Sequence, residues 1–325
     1  MTMPRVSVVI PTFRRKEALL RALRSLATQS IAPAEYEVVV VVDGSDDGTL
    51  EAAESAPQPY ALRVLWQGNR GRAAACNTGV AAAQGEVVVL LDDDMEASPR
   101  LLEEHLKAHM AGPRRAVIGA APITVSASAP APAAYIARKF NRHLEHLARA
   151  GGPLALRDFY SGNFSIRRDV FETVHGFDER FTIYGNEDLE LSLRLQAAGV
   201  SIVYAPEAIA HQSYDKSFAA LARDNVAKGR TAVLLARLHP AARPELKLAT
   251  FGREPLRRRL VVNALLATTR IAPPVRALVV GVVGFLGEHR IPGAQFLYPI
   301  ALDYLYLCGA RDAERETPAT SAAAA

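Results

Sequence analysis

The sequence has few cysteines and lacks a long apolar run. Its two cysteines, Cys76 and Cys308, supply neither a disulfide framework nor a zinc-ligand cluster, which fits a reducing cytosol. No uncharged apolar stretch reaches the roughly 18 residues that favour a membrane-spanning helix. The N-terminus leads directly into an apolar strand pattern, so no signal peptide is expected. These absences argue against a disulfide-stapled secreted domain and an integral membrane bundle, and we expect a cytoplasmic protein.

A strong charge of either sign is also missing. The 38 basic and 34 acidic residues leave a formal net charge of +4, which is too small to indicate nucleic-acid binding. The small excess instead favours phosphate-bearing substrates or an anionic membrane surface. Half of the 325 residues are hydrophobic, so the chain can bury a sizeable core.

Strand patterns alternate with helical patterns through the N-terminal third of the chain. Each predicted strand is a short aliphatic run, and each is followed by a turn and an amphipathic or small-residue helix. The predicted strands are Val6 to Ile10, Glu37 to Val42, Leu62 to Trp66 and Val87 to Leu91. This alternation predicts βαβ units and a mostly parallel sheet.

Three consecutive acids, Asp92, Asp93 and Asp94, follow the last of these strands. Adjacent carboxylates repel one another beside a buried strand unless a cation neutralises them. Oxygen-rich sites suit Mg²⁺ or Mn²⁺, and open α/β sheets bind ligands beyond the carboxyl ends of their strands. A metal site is therefore one interpretation of the acids, and a solvated acidic turn is the alternative.

Five motifs resemble those of glycosyltransferase family 2, in the order and at the approximate spacing of that family over about residues 5–212. The motifs are Ser7-Val8-Val9-Ile10-Pro11-Thr12, Val42-Asp43-Gly44-Ser45-Asp46-Asp47-Gly48-Thr49, Asn69-x-Gly71 with Asn77-x-Gly79, Leu91-Asp92-Asp93-Asp94, and Gly185-Asn186-Glu187-Asp188. The resemblance implies a GT-A-type α/β fold, which is Rossmann-like, with a mixed, mostly parallel sheet flanked by helices. It also implies an inverting, hexosyltransferase-type enzyme that uses a nucleotide-diphosphate sugar, a DXD motif and a divalent metal, Mn²⁺ or Mg²⁺.

The resemblance assigns donor binding to residues of the N-terminal half. Asp43 is placed to accept hydrogen bonds from a base or ribose, and helix capping is its alternative role. Asp92 is assigned to the ribose or the metal, and Asp94 to the metal. Asp93 either supports its neighbours or faces solvent, and it is the acid we expect to be replaceable. The predicted donor-binding set is Pro11, Thr12, Asp43, Gly71, Arg72, Asn77, Asp92 and Asp93.

The acidic doublet Glu187-Asp188 is the predicted catalytic pair. Inverting transfer needs a base that removes the proton of the acceptor hydroxyl, and the resemblance gives that role to Asp188. Glu187 would orient Asp188 or bind the acceptor. The alternative is that both acids only favour the N-terminus of their helix through its dipole.

Three further residues complete the predicted site. The resemblance makes His211 a metal ligand together with Asp92 and Asp94, and imidazole is an acceptable ligand for Mn²⁺. It places Gly162 and Asn163 in a loop that faces the acceptor.

We expect four regions along the chain. Residues 1–95 form a nucleotide-sugar-binding half, residues 96–216 the acceptor-binding and catalytic half, residues 217–313 a C-terminal helical region, and residues 314–325 a disordered tail. The C-terminal helices are apolar and flanked by basic residues, so they are either core helices or peripheral helices at a membrane surface. A lipid-linked or cell-envelope glycan is the expected acceptor. The alternative functions are a sugar-phosphate nucleotidyltransferase and a non-catalytic nucleotide-sugar-binding protein.

Overall fold

The computed structural model describes residues 3–150, 154–272 and 274–316. Most of the predicted tail, residues 317–325, lies outside this range, and the last helix ends at Arg315. The described residues divide into two compact units. The first comprises residues up to Thr124, Ala137–Thr182 and Glu187–Tyr214, and the second comprises Val125–Ile136, Ile183–Asn186 and residues from Asp215 onward.

Nine strands occur within the described part of the chain, and all belong to the first unit. They are β1 (Val6–Thr12), β2 (Tyr36–Asp43), β3 (Ala61–Gln67), β4 (Val87–Leu91), β5 (Met95–Ala97), β6 (Arg115–Ala120), β7 (Ile123–Thr124), β8 (Asn163–Arg167) and β9 (Ser201–Ser213). The order in the sheet is β3-β2-β1-β4-β8-β6-β9-β5, and β7 also pairs with β9.

The helices surround the sheet in the first unit and make up the second. They are α1 (Lys16–Leu26), α2 (Thr49–Glu54), α3 (Arg72–Ala82), α4 (Leu101–His109), α5 (Ala131–Ala150), α6 (Arg168–Thr173), α7 (Glu187–Ala197), α8 (Phe218–Leu238), α9 (Lys247–Thr250), α10 (Leu256–Ile271), α11 (Val275–Glu288) and α12 (Leu297–Arg315). No helix in the described ranges is both long and apolar enough to cross a membrane.

The four predicted N-terminal strands are confirmed, and they pair in parallel in the order β3-β2-β1-β4. Strands β1, β2 and β4 are mostly aliphatic on both faces because both faces are covered, whereas the edge strand β3 is partly exposed. Alternate residues point to opposite faces of a strand, and accordingly Val8 and Ile10 pack in one hydrophobic core, whereas Val9 packs in the other. The sheet is mixed because β8 runs antiparallel to both β4 and β6.

Strand β9 joins two segments that the sequence pattern separates. The pattern predicts a strand that ends at Tyr204, but β9 continues to Ser213. Gly119 of β6 pairs with Ala205 of β9 and Ala120 pairs with Ile209, so the residues between these partners form an irregularity in the ladder. A β-bulge of this kind accommodates extra residues and bends the strand, which brings the end of β9 beside β5 and the acids before it.

Candidate active site

The three acids lie at the edge of the sheet where the parallel strands end. Thr12 is the last residue of β1, Asp43 is the last of β2, and Asp92 directly follows β4. Because β1 pairs in parallel with both β2 and β4, the three carboxyl ends meet at one edge. The structure therefore brings these predicted donor-side residues together.

Asp93 is the most deeply buried acid of the triplet. Its side chain accepts a hydrogen bond from the Thr12 hydroxyl at 2.8 Å and one from Arg15 Nη1 at 2.9 Å. Burial raises the pKa of Asp93 to about 6, although the charge of Arg15 opposes this shift. The solvent-facing alternative for Asp93 is therefore wrong, since the carboxylate holds the end of β1 and the start of α1 against the acidic turn. The hydroxyl of Thr12, a member of the predicted donor-binding set, donates to Asp93, and Pro11, another member, is buried in β1.

Asp94 contacts Arg15 and a residue of β9. Arg15 Nη1 lies 2.7 Å from Asp94 Oδ2, and Gln212 Nε2 lies 3.2 Å from Asp94 Oδ1. Burial, followed by the negative charge of Asp92, raises the pKa of Asp94 above its usual range. His211, the predicted ligand, is exposed. Because neighbouring residues of a strand point to opposite faces, the structure brings Gln212 and not His211 to Asp94.

Arg72, at the start of α3, connects Asp92 to two other parts of the first unit. Its Nη2 lies 2.7 Å from Asp92 Oδ1, and its Nη1 donates to the Ser161 hydroxyl at 3.0 Å. The same Nη1 lies 3.8 Å from Glu187 Oε1, and the guanidinium lies over the Phe177 ring. One arginine therefore links the acidic turn, the loop before β8 and the first residue of α7.

Gly162 allows the loop before β8 to approach the acidic turn closely. Its carbonyl accepts a hydrogen bond from the Asp92 amide at 2.9 Å. A Cβ at this position would lie 2.5 Å from Asp92 Oδ2 and 2.8 Å from Met95 Cε. No larger residue fits here without moving the acid.

Asp43 positions the loop that begins α3. Its carboxylate accepts hydrogen bonds from Gln67 Nε2 at 2.8 Å and from the Arg70 and Gly71 amides, each at 2.9 Å. Gly71 has φ +89°, and a Cβ on it would lie 2.8 Å from the Thr182 carbonyl oxygen, so this position requires glycine. A carboxylate offers about four acceptor positions, so about one of them remains for a base or ribose.

Asn77 is engaged with the turn that follows α6. Its Nδ2 donates to the Phe177 carbonyl at 2.9 Å, and its Oδ1 accepts from the Phe177 amide at 2.8 Å. Glu179 in the same turn contacts both Asn77 and Arg70. The contacts give Asn77 a role in holding this turn, and its contact with the donor stays a prediction.

Asn163 does not face an acceptor, which corrects our prediction. It is fully buried in β8, and its Nδ2 donates to the carbonyls of Ala120 and Ala208, each at 2.9 Å. Its Oδ1 lies 2.9 Å from His105 Nε2. The motif pattern predicts the same role for Gly162 and Asn163 because they are adjacent. The loop ends at Gly162, however, and Asn163 is the first residue of the buried strand β8.

A chain of buried polar side chains continues from Asn163 into α4. His105 Nδ1 lies 2.8 Å from the Ser165 hydroxyl, which also lies 2.9 Å from His109 Nε2. Burial lowers the pKa of both histidines to about 4. Both imidazoles are therefore neutral at pH 7, and the network is part of the core.

The predicted catalytic pair opens α7. Glu187 is buried and reaches Arg72, whereas Asp188 is partly buried and its Oδ1 accepts a hydrogen bond from the Leu189 amide at 2.8 Å. Both acids lie in the first turn of the helix, where negative charge is favourable. Of the two acids, Glu187 is therefore the one that shares Arg72 as a partner with Asp92 of the acidic triplet.

The acids at the end of β4 have the donor chemistry of a divalent-cation site. Asp92 and Asp94 are close enough to repel each other, and carboxylate oxygens are the ligands that Mg²⁺ and Mn²⁺ prefer. Within the described residues, three or more His, Cys, Asp or Glu side chains are nowhere grouped so as to hold an ion. Mg²⁺ is commonly held by one or two carboxylates together with substrate phosphates, so the pair Asp92 and Asp94 fits that mode.

Sequence reasoning missed Arg15 and Gln212, and it named Ser161 only as part of the acceptor-facing loop with Gly162 and Asn163. Arg15 stands in the basic run Arg14-Arg15-Lys16 directly after β1, and that position beside the strand end was the available signal. Gln212 gave no signal, because its contact with Asp94 depends on the path of β9.

Two family models match the chain. One, described as glycosyl transferase family 2, matches residues 7–174, just over half of the 325 residues. The other, described as the N-terminal domain of galactosyltransferase, matches residues 142–215. Together the matched segments include every residue of the site described above.

Curated relatives are similar over less than two thirds of the chain. A validoxylamine A glucosyltransferase from Streptomyces hygroscopicus subsp. limoneus is 31% identical over 229 residues, which cover 63% of this chain and 50% of the relative. The glycosyltransferase AglE of Haloferax volcanii is 28% identical over 210 residues, which cover 64% of this chain and 66% of the relative. The chain spans about half the length of the first of these relatives.

Solved structures with the same fold cover nearly the whole chain. The mannosyltransferase PcManGT from Pyrobaculum calidifontis, in complex with GDP-Man and Mn²⁺, has a TM-score of 0.62 and 21% identity over 97% of this chain and 89% of its own. S. aureus TarS 1-349 in complex with UDP-GlcNAc has a TM-score of 0.52 and 18% identity over 96% of this chain and 92% of its own. The likeness confirms the predicted GT-A fold.

Proposed function

Since the chain belongs to glycosyltransferase family 2, we propose that it moves a sugar from a nucleotide-diphosphate sugar to an acceptor hydroxyl, with inversion at the anomeric carbon. The observation that carries the proposal is the set of contacts of Arg72, which joins Asp92, Ser161 and Glu187 in one cluster. The proposed donor site needs the acids that follow β4, and the proposed acceptor site needs a base nearby. Arg72 contacts Asp92 of the first group and Glu187, the neighbour of the proposed base Asp188.

The donor is proposed to lie along the edge where β1, β2 and β4 end. Asp43 would bind the base or ribose through its remaining acceptor position, and Asp92 would bind the ribose. Arg15 and Arg72 lie at the acidic turn, and guanidinium groups bind phosphate oxygens through paired N–H donors, so both are proposed to contact the donor phosphates with the N–H groups that the acids leave unused. PcManGT and TarS bind nucleotide-linked donors, which supports the donor class and leaves its sugar and base open.

A divalent cation, Mn²⁺ or Mg²⁺, is proposed to be held by Asp94 and Asp92. When bound, such a cation offsets the negative charge that develops on the departing nucleoside diphosphate. Gln212, which contacts Asp94, would keep that carboxylate oriented. His211 as a further ligand remains our prediction, and a His211→Ala variant with unchanged Mn²⁺ affinity would remove it from the ligand set.

Asp188 is the proposed base, and Glu187 its orienting neighbour. As the acceptor oxygen attacks the anomeric carbon, Asp188 would take the hydroxyl proton, and the bond between that carbon and the diphosphate oxygen would break. The nucleoside diphosphate leaves with the bonding electron pair. Gly162, which lets the loop before β8 lie directly against Asp92, would hold that loop beside the acids, where the acceptor is proposed to bind.

A thermal-shift screen of nucleotide sugars with and without Mn²⁺ tests donor and metal binding, because a ligand of the folded state raises the unfolding temperature by mass action. We expect a shift with one donor class that is larger with Mn²⁺ and that loses the Mn²⁺ contribution in Asp94→Asn. The control variant is Asp215→Asn, at an exposed acid. Absence of a shift with every nucleotide sugar would count against the whole proposal.

A transfer assay on Asp188→Asn separates an enzyme from a non-catalytic nucleotide-sugar-binding protein. General base catalysis contributes about 10²–10⁴-fold in rate, so we expect transfer or donor hydrolysis to fall by about that factor while the donor-induced thermal shift is kept. Normal turnover in this variant would refute the assignment of the base. Donor binding by the wild type without any turnover would favour the binding protein.

The acceptor is proposed to be a lipid-linked or cell-envelope glycan met at a membrane surface through the second unit. The support is an apolar stripe on α11, where Leu278, Val282 and Phe285 are exposed at helical spacing. Phe285→Gln should weaken flotation of the full chain with anionic vesicles, whereas Met110→Gln, at an exposed residue of the first unit, should not. Equal flotation of both variants and the wild type would remove the membrane contact from the proposal.

A further inference from the structure

The irregularity in β9 lies between the regular part of that strand and the acidic turn. Ala205 and Ile209 pair with consecutive residues of β6, so the ladder skips residues 206–208. Gln212 follows the skipped segment, and its Nε2 lies 3.2 Å from Asp94 Oδ1. The position of the irregularity therefore decides whether Gln212 reaches Asp94.

The side chain of Asn163 lies at this irregularity. Its Nδ2 donates to the carbonyl of Ala208, in the skipped segment, and to the carbonyl of Ala120, on β6, each at 2.9 Å. Gly119 leaves space for this amide, since a Cβ there would lie 2.3 Å from Asn163 Nδ2 and 2.4 Å from the Ala208 carbonyl oxygen. Buried carbonyls are costly without a donor, so one side chain joins β6 to β9 where the ladder is interrupted.

These contacts fix the orientation of the Asn163 amide. Half a turn of the amide would set Oδ1 against two carbonyl oxygens, so Oδ1 faces His105 Nε2 at 2.9 Å. This nitrogen must therefore carry the hydrogen. Because burial lowers the pKa of His105 to about 4, the imidazole is neutral at pH 7. Its Nδ1 then accepts a hydrogen bond from the Ser165 hydroxyl at 2.8 Å.

The hydrogen bonds that continue from Ser165 all run in one direction. Since the Ser165 hydroxyl donates to His105, its oxygen accepts from His109 Nε2 at 2.9 Å. His109 Nδ1 therefore carries no hydrogen, and it has no hydrogen-bond partner within the described ranges. The chain of bonds begins at His109, and His105 is the member that contacts Asn163 directly.

We propose that Asn163 and His105 are positioning residues for the proposed cation site. Asn163 holds β9 at its irregularity so that Gln212 reaches Asp94. The Nε2–H group of His105 keeps the Asn163 amide turned toward the two carbonyls. Both residues act through Gln212. The part that concerns the cation rests on the proposed function, whereas the part that concerns the path of β9 does not.

A role in stability alone predicts a different pattern of loosening. A buried network that only stabilises the first unit would, when weakened, loosen β9 equally along its length. Residues 202–204 pair with β6 before the irregularity. The amides of Gln212 and Ser213, beyond it, donate to the carbonyls of Pro122 and Asp94. The positioning role predicts that only the amides beyond the irregularity become more open.

The test compares two substitutions of His105 in the full chain. His105→Gln keeps an N–H donor at the ε position, whereas the side chain in His105→Asn is shorter by a methylene group and does not reach Asn163 Oδ1. His109→Asn, which changes the same helix at a residue that does not contact Asn163, is the matched control. Hydrogen exchange followed by mass spectrometry reports on residues 202–204 and 212–214. Thermal unfolding verifies that each variant is folded.

We expect residues 212–214 to exchange about fivefold faster in His105→Asn than in His105→Gln, since one hydrogen bond is lost. Residues 202–204 should exchange alike in the two variants, and His109→Asn should keep the wild-type pattern in both segments. If His105→Asn does not fold, Ser165→Ala replaces it, because it frees the His105 ring and should loosen residues 212–214 alone. Equal exchange in the two His105 variants, or equal loosening of both segments, would overturn the proposal.

Titration with Mn²⁺ alone, followed by electron paramagnetic resonance, tests the link to the cation. We expect His105→Asn to bind Mn²⁺ more weakly than His105→Gln, by about the factor seen in exchange. Equal Mn²⁺ affinity in these variants, together with different exchange, would overturn the positioning of the cation site. If the wild type binds no Mn²⁺ while exchange differs as expected, the positioning of β9 is supported and the cation of the proposed function fails instead.

Discussion

Acid should destabilise the protein through His105 and His109, the two buried histidines of α4. Burial lowers the pKa of each to about 4, whereas a histidine in the unfolded chain titrates near 6.5. The unfolded state therefore binds more protons between these values, and stability is lost as the pH falls from about 6.5 through about 4. For His105, which is fully buried, this difference corresponds to about 3 kcal/mol of unfolding free energy.

Two other effects determine what is measured. The charge of His105 is one of the causes that lower the pKa of His109, so the two contributions do not add in full. Asp93 acts in the opposite direction. Its pKa is raised to about 6 in the folded state, so its protonation stabilises the fold as the pH falls, and this stabilisation is lost as the pH rises through about 6. The pH dependence of the unfolding free energy of the wild type therefore understates the effect of the histidines. The informative quantity is the difference in this pH dependence between the wild type and a histidine variant.

The assay is denaturant unfolding followed by circular dichroism at a series of pH values from 7 to about 4. His105→Gln removes one proton-binding site, so the fall in unfolding free energy over this range should be smaller by about 3 kcal/mol than in the wild type. The variant should also be less stable at pH 7, since its hydrogen bonds to Asn163 and Ser165 are altered. The exposed His146 is the control, and His146→Gln should keep the wild-type slope. Identical slopes in the wild type and His105→Gln would refute the reasoning.

Two further predictions concern one residue in each unit. Gly162→Ala should weaken donor binding in the thermal-shift assay, because the added Cβ would lie 2.5 Å from Asp92 Oδ2. The control is Gly68→Ala, whose Cβ would meet no atom within 4 Å and which should bind the donor like the wild type. Equal donor binding by the two variants would contradict the role of the close approach at Gly162. Asp303→Asn should lower the unfolding free energy by about 1.5–3 kcal/mol, because the fully buried carboxylate loses its charged contacts with the partly exposed Lys247 and Arg258. Denaturant unfolding checks this against Asp215→Asn, and a loss of less than about 1 kcal/mol, as for an exposed pair, would contradict it.

The sheet and its acidic edge were predictable because local patterns determine them. A run such as Val87 to Leu91 has no polar face to expose, so it forms a strand covered on both sides. Parallel strands must be joined by crossover helices, and their carboxyl ends then lie at one edge. The acids that follow β4 were therefore placed correctly before any contact was known.

The roles of individual acids were less predictable. Asp93 looks interchangeable with its neighbours in the sequence, yet it is the buried acid of the three and the one that accepts the Thr12 hydroxyl. Asn163 looks like a loop residue beside Gly162, yet it is a core residue of β8. In both cases the sequence shows the residue type, and burial depends on elements that lie far away along the chain.

The fold, the acidic edge of the sheet and the family can be inferred from the amino-acid sequence, because aliphatic periodicity, turn residues and ordered motifs are properties of short segments. Which side chains meet depends on how distant segments pack. Arg72 reaches Asp92, Ser161 and Glu187 from parts of the chain up to 115 residues apart, and Gln212 rather than His211 meets Asp94 because neighbouring residues of β9 point to opposite faces. Contacts of this kind depend on strand register and on close approach at glycines, which no local pattern encodes.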